Sequence, residues 1–134
     1  MSNADNEWFL ALKVMMMPRD TNVYGTIFGG VILSNIDQGG AIGALNEIRK
    51  RGWAEQQITT VAMNSVEFHT PVFVGDTVCF FTKLLRIGTT SITMHVTVQT
   101  ERNGETIKLT EAEVTYVTLK VTDGKRIPSP IRGK

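Results

Sequence analysis

The stretch that decides the fold is residues 30–50, with the sequence GVILSNIDQGGAIGALNEIRK. When successive residues are placed roughly 100° apart, several apolar side chains share one broad stripe. These are Leu33, Ile36, Ala41, Ala44 and Ile48. The basic residues 49–51 and then Gly52 form a typical C-terminal end. The pattern predicts a helix from about Gly30 to about Lys50.

Three glycines lie inside this predicted helix, at Gly39, Gly40 and Gly43. Each should cost roughly 1 kcal/mol relative to alanine in a helix interior. A helix tolerates this cost when another element must approach its backbone closely. We therefore expect a sheet to wrap around the helix at these glycines.

The chain on both sides of the helix has the patterns of β-strands. The strand-like segments are 8–16, 58–68, 77–87, 91–100 and 105–121. The first segment has apolar residues at both odd and even positions, which favours a strand that is largely buried on both faces. Asn103-Gly104 indicates a tight hairpin, and the last three segments lie at hairpin spacing. The predicted fold class is therefore α+β, with one long helix against a five-stranded antiparallel sheet in the order β-α-β-β-β-β.

The length of 134 residues and the 42% hydrophobic content predict a single folded domain, for which we expect residues 7–127. Residues 1–6 are expected to be a tag remnant or disordered, and 128–134 an irregular tail. A net charge of +1 gives no reason to expect nucleic acid or an anionic membrane as a partner. With no apolar run of membrane-spanning length and no leader pattern, a cytoplasmic location is expected.

One cysteine and two histidines are too few for a disulfide framework, a Cys/His zinc site or a Cys-His nucleophile with spares. We therefore expect no metal site. The anomalous side chain is instead Asp37, a carboxylate placed within the apolar stripe, where an isolated charge is expensive. It either caps or pairs with a structural group, or faces a substrate cleft as a base or nucleophile.

The start of the predicted helix offers unpaired N–H groups and the positive end of the helix dipole. Gly29 and Gly30 leave space there for an oxyanion, although a simple loop-to-helix turn also explains them. Gly30 and Asp37 are seven residues apart, about 10 Å along one face. Taken alone, Asn22 is typical of a turn. The segment Arg86–Ser91 is either a plain hairpin turn or a phosphate-binding turn.

These residues together resemble the acyl-CoA thioesterases of the hotdog superfamily, in the acyl-CoA hydrolase branch that includes the YciA type. The resemblance rests on Met17–Asn22, Gly25, Ile27–Gly30 and Ile36–Ala41, at their spacing. Weaker similarity extends from about Leu10 to Lys125.

The resemblance implies a hotdog fold, hydrolysis of acyl-CoA to a free acid and CoA, and no cofactor. It also implies a homodimer joined edge to edge, often as a trimer of dimers, with Asn22 of one subunit meeting Asp37 of the other. Asp37 would act as base or nucleophile, and Asn22 would orient the water or the thioester carbonyl. Backbone N–H groups near Gly30 would polarise that carbonyl. The CoA nucleotide would lie near one turn, at Arg86, Gly88, Thr89, Thr90 and Ser91.

Three other functions remain open from the sequence. The first is a regulatory hotdog module that binds acyl-CoA without cleaving it. The second is a hydroxyacyl dehydratase, which relies on a histidine, but neither His69 nor His95 lies on or before the helix. The third is a purely structural oligomer, which leaves Asp37 unexplained.

Overall fold

One helix packed on an antiparallel sheet forms the fold of residues 7–132, the part of the chain that the computed structural model describes. The elements are β1 (Phe9–Met15), a 3-10 turn (Pro18–Asp20), α1 (Gly29–Lys50), β2 (Gln57–Phe68), β3 (Thr77–Ile87), β4 (Ser91–Arg102), β5 (Glu105–Thr122) and β6 (Lys125–Pro128). The predicted helix and five predicted strands are confirmed, with boundaries that differ by at most two residues. No helix in the described part of the chain is long and apolar enough to cross a membrane.

The strand order is β1-β3-β4-β5-β2, and every pairing is antiparallel. A sixth, short strand that the pattern did not predict, β6, also pairs with β5. Its cause is local, because Asp123 and Gly124 both adopt positive φ angles, of 53° and 74°. This is the geometry of a tight hairpin, which turns the chain back along β5.

The helix contacts the sheet through its glycines, as expected. A methyl group at Gly40 would overlap the hydroxyl of Tyr116, and one at Gly43 would overlap the side chain of Thr82. The buried helix residues are Ile32, Ile36, Gly39, Gly40, Gly43, Ala44, Glu47 and Ile48. Leu33 and Ala41, which the stripe placed at the sheet, are only half-buried. The closest approach is therefore centred on the glycines, where side chains of the sheet reach the helix backbone.

The expectation of a largely buried first strand is wrong. No residue of β1 is buried, and Leu10 and Met15 are 44% and 56% exposed. The physical reason is its position, since β1 lies at an edge of the sheet and pairs with β3 alone. Its apolar outer positions are thus uncovered within one chain.

The chain after β6 is irregular in backbone but packed against the rest of the fold. Ile131 is fully buried in the core, and Ser129 is also buried. The N–H of Ile131 donates to the carbonyl of Thr89 at 2.8 Å. Residues 133–134 of the expected tail, and the expected tag remnant at 1–6, lie outside the described residues.

Candidate active site

Asp37 lies in α1 against strand β2. Its side chain is half-buried, and the hydroxyl of Thr60 donates to its Oδ1 at 2.6 Å. Within residues 7–132, no lysine, arginine or histidine forms an ion pair with it. The structural interpretation, in which Asp37 caps or pairs with a structural group, is met in a single chain by the Thr60 hydroxyl and, among residues 7–132, by no cation.

Tyr116 of β5 holds the same segment of the helix from the sheet side. Its hydroxyl donates to the main-chain carbonyl of Asp37 at 2.7 Å, in the space that the missing side chain of Gly40 leaves. Burial, followed by the negative charge of Asp37, raises the pKa of Tyr116 well above its usual range. Tyr116 therefore stays protonated as a donor and fixes the position of Asp37 against the sheet.

The N-terminus of α1 has no side-chain cap. Its N-cap residue is Phe28, whose side chain cannot accept a hydrogen bond and is 57% exposed. The N–H of Phe28 donates to the carbonyl of Asp20, whereas the N–H groups of Gly29 and Gly30 appear in none of the loop or cap hydrogen bonds. Gly29 lines a depression of about 240 Å³ and Gly30 a separate one of about 490 Å³. Both N–H donors therefore remain available to an anion.

Asn22 occupies a turn, as its residue type alone suggests. Its Oδ1 accepts from the N–H of Tyr24 at 2.8 Å and of Thr26 at 3.3 Å, and its amide donates to the Thr26 hydroxyl at 2.9 Å. Among the described residues, no hydrogen bond joins Asn22 to Asp37 within one chain. The tip of its loop is apolar and points outward, since Val23 is 91% exposed and Tyr24 is 88% exposed.

The turn between β3 and β4 lies near the Asp37 end of the sheet. Tyr116, which bonds Asp37, and Thr118, whose N–H donates to Thr90 at 2.8 Å, are two residues apart on β5. Two residues of strand span about 7 Å. The predicted phosphate-binding turn therefore pairs with β5 about 7 Å along the strand from Tyr116, whose hydroxyl bonds the main chain of Asp37.

Only part of this turn faces a cavity. Gly88 and Thr89 line an open groove of about 760 Å³ together with Trp53, Pro130 and Arg132. The predicted residues Arg86, Thr90 and Ser91 are not among its lining residues. The position of Arg86 follows from the alternation of side chains along β3. Because Ile87 lines the groove, the neighbouring Arg86 points to the other face of the sheet.

Two histidines meet one carboxylate at a second polar cluster. The carboxylate oxygens of Glu111 lie 2.9 Å from Nε2 of His69, 3.0 Å from Nε2 of His95 and 2.9 Å from Nζ of Lys108. Ligand atoms of Glu67, His69 and Glu111 lie within 4.8 Å of one another, which makes them the cluster in residues 7–132 that could hold a metal ion. The ammonium group of Lys108, followed by His69, lowers the pKa of Glu111 to about 2. The network is thus explained by ion pairing.

Replacement Glu111→Gln is expected to lower the free energy of unfolding by about 2 kcal/mol at pH 7. The carboxyl has a lower pKa in the folded state than its ordinary 4.5, so its stabilisation is present above pH 4.5 and is lost as the pH falls towards about 2. Urea unfolding of both proteins at several pH values measures this. A difference that stays constant between pH 7 and pH 3 would contradict the ion-pair explanation.

Sequence reasoning missed both residues that position Asp37. Thr60 is one of two adjacent threonines in β2, and nothing local distinguishes it. Tyr116 offered a weak signal, because a buried tyrosine on an alternating strand needs a partner for its hydroxyl. The buried Glu47 was also missed; it pairs with Lys50 at 3.0 Å and Arg51 at 3.2 Å, in the basic last turn of the helix.

Known proteins similar to this chain have related activities. The family model of the thioesterase superfamily matches residues 24–107. The acyl-CoA thioester hydrolase YciA of Salmonella typhimurium is 40% identical over 129 residues, which cover 92% of each chain. The crystal structure of a hexameric hotdog fold thioesterase of Campylobacter jejuni is 39% identical, with a TM-score of 0.75, over 95% of this chain and 92% of that one.

A more distant structure bears on the site residues. A variant of the acyl-CoA hydrolase of Staphylococcus aureus, in complex with CoA, is 25% identical with a TM-score of 0.75, over 94% of this chain and 71% of that one. In it one asparagine is replaced by alanine, and a second variant replaces an aspartate 15 residues further along. The same interval separates Asn22 from Asp37. On this fold and these similarities, the chain belongs to the hotdog-fold thioesterase superfamily, in the branch of the YciA-type acyl-CoA thioester hydrolases.

Proposed function

We propose that this protein hydrolyses acyl-CoA thioesters to a free acid and CoA. The observation that carries the proposal is the Asp37 carboxylate, which Thr60 and Tyr116 hold in place and with which no cation of residues 7–132 is paired. A half-buried, uncompensated carboxylate is costly, and its retention favours a role in chemistry. The activities of the similar proteins agree with this proposal.

The reaction follows from the groups around Asp37. The thioester carbonyl accepts from the free N–H group of Gly30, which stabilises the negative charge that develops on its oxygen. Asp37 either takes a proton from an attacking water or attacks the carbonyl itself to form a mixed anhydride, which water then cleaves. CoA leaves as the thiolate, a good leaving group, so this chemistry requires no metal or redox cofactor.

The functional unit of the proposal is a homodimer, in which Asn22 of one protomer orients the water or carbonyl beside Asp37 of its partner. Three features support a partner at this position. Asp37 lies against β2, which is an edge strand, so a second copy at that edge would come next to it. The exposed apolar loop tip beyond Asn22 offers a surface for such a copy to cover. The related C. jejuni structure is hexameric, which agrees with a trimer of dimers.

A thiol-trapping assay on a panel of acyl-CoA substrates of different chain length tests the proposed function. We expect release of free CoA, with the preferred chain length given by kcat/KM. Enzyme without substrate serves as the control for any reaction of the reagent with the single cysteine, Cys79, which is half-buried. Saturable binding of acyl-CoA without thiol release would overturn the proposal and indicate a regulatory binding module instead.

A further inference from the structure

A bulge in β2 sets two carboxylates opposite each other on the outer face of the sheet. Between residues 64 and 67, β2 advances by three residues where β5 advances by two, and Glu67 then pairs with Glu111. The bulge contains Ser65, whose φ of 54° is unfavourable for a residue other than glycine. Without it, the alternation of β2 would place Val66 beside Glu111. Both neighbours of Glu111 along β5 are buried, so its side chain points away from α1.

This pairing of two carboxylates is unfavourable unless a cation lies beside them. Side chains directly opposite each other on adjacent strands are close, and like charges there destabilise a sheet. The ammonium group of Lys108 lies 2.9 Å from Oε2 of Glu111 and accounts for that residue. Within residues 7–132, the one ion pair of Glu67 is a 3.9 Å contact with His69. With neutral histidines, a single ammonium group therefore serves two carboxylates, and a further positive charge would stabilise the pair.

His69 adds a nitrogen ligand at the same point. Its Nε2 lies 2.9 Å from Oε2 of Glu111 and 3.9 Å from Oε1 of Glu67. One ligand atom from each of the three residues lies within 4.8 Å of the other two. Ligand atoms about 2.0–2.1 Å from a tetrahedral ion are roughly 3.3 Å apart. The two measured separations lie on either side of this value, so small side-chain rotations would bring the three atoms around one ion.

His95 holds the shared carboxylate in place from β4. Its Nε2 lies 3.0 Å from Oε1 of Glu111, while Oε2 of the same carboxylate is directed at His69. The ring of His95 makes an edge contact with Trp8, with the two ring centroids 5.4 Å apart. Partners that orient a metal-binding carboxylate without touching the ion are typical of metal sites in proteins.

We propose that Glu67, His69 and Glu111 bind a zinc ion and that His95 orients Glu111 for this role. One imidazole and two carboxylates form a mixed nitrogen and oxygen set, which favours Zn²⁺ over Mg²⁺ or Ca²⁺, because the latter two prefer oxygen ligands. The side chain of Lys108 is 49% exposed, so it can leave Oε2 for solvent as the ion binds. The site goes beyond the proposed function, since its ion fastens the end of β2 to β5 on the face of the sheet away from α1.

Calorimetric titration of the untagged, chelator-treated full chain with Zn²⁺ tests the proposal. We expect saturable binding of one Zn²⁺ per chain, and a Tm that rises by several degrees when Zn²⁺ is well above Kd. Titrations with Mg²⁺ and with Ca²⁺ should give affinities at least about tenfold lower. Absence of saturable binding below about 0.1 mM Zn²⁺ overturns the proposal. Equal affinity for Ca²⁺ also overturns it, because that result indicates an acidic surface only.

Four variants assign the ligands. His69→Gln and Glu67→Gln should each weaken Zn²⁺ binding at least about tenfold. Lys108→Gln should strengthen it a few-fold, because the competing ammonium group is gone, and a damaged fold does not produce a gain in affinity. Glu105→Gln, at an exposed glutamate that begins β5 outside the cluster, is the matched control and should bind Zn²⁺ normally.

The variants also define what contradicts the site. Unchanged Zn²⁺ affinity in His69→Gln would overturn it, as would unchanged or weaker binding in Lys108→Gln. The side chain of Glu67 is 64% exposed, so its replacement should leave the fold intact, and an unchanged affinity there rules out the ligand set. Equal losses in Glu105→Gln and Glu67→Gln would show a diffuse acidic surface instead. Thiol release is a separate measurement, whose failure affects the proposed function and leaves the zinc assignment standing.

Discussion

Asp37→Asn is expected to lower kcat for acyl-CoA hydrolysis about 10²- to 10⁴-fold, the usual effect of removing a general base. The variant keeps the size of the side chain, and its amide oxygen still accepts from the Thr60 hydroxyl, so the fold should be unchanged. The bond from Tyr116 is also retained, because it goes to the main chain. Steady-state thiol release together with thermal unfolding measures both effects.

The control for this prediction is Asp123→Asn, in the exposed hairpin turn before β6, where asparagine accepts the positive φ. Its kcat should equal that of the unaltered protein. Near-normal hydrolysis by Asp37→Asn would show that the charge of Asp37 is not needed and would remove the basis of the proposed mechanism.

The same variant also tests the shared site. If Asn22 acts on the partner's carboxylate, a mixed dimer of Asp37→Asn and Asn22→Ala protomers contains one site with both groups intact. Refolding the two inactive proteins together should then restore activity that neither has alone. No recovery in verified mixed oligomers would place both residues in the same chain's site.

Gly43→Ala is expected to destabilise the fold by about 2 kcal/mol, with a fall of several degrees in Tm. The added methyl group would overlap both Oγ1 and Cβ of Thr82, and overpacking of this kind costs about 1–3 kcal/mol. Alanine also improves helix propensity by about 1 kcal/mol, which offsets only part of that cost. Urea unfolding of the purified variant measures the net effect.

Two further variants show whether the sheet causes this loss. Ser34→Ala, on the exposed side of α1, gains helix propensity without meeting the sheet and should be neutral or slightly stabilising. Thr82→Ala removes two of the three atoms that the new methyl would meet, so Gly43→Ala should cost less in that background. A Gly43→Ala protein more stable than the original would contradict the close approach.

The helix and the five longer strands of this protein follow from its sequence alone. The period of α1, the apolar run of β3, the alternation of β4 and the turn at Asn103-Gly104 are local patterns, and each predicted its element to within two residues. Asp37 and the helix glycines were identifiable for the same reason, since a charge or a glycine in an apolar helix face departs from a local pattern. Local geometry depends on neighbours a few residues away, which the sequence shows directly.

The surroundings of Asp37 were decided only by the tertiary structure. Thr60 and Tyr116 come from strands 23 and 79 residues away, and Arg132 reaches Trp53 through the packed tail. Alternation tells which face of a strand a residue occupies, but not which strand lies beside it. That choice depends on the sheet order, in which β5 stands between β4 and β2. Because side chains on one face lie only a few ångströms apart, the order of strands determines which groups surround the carboxylate.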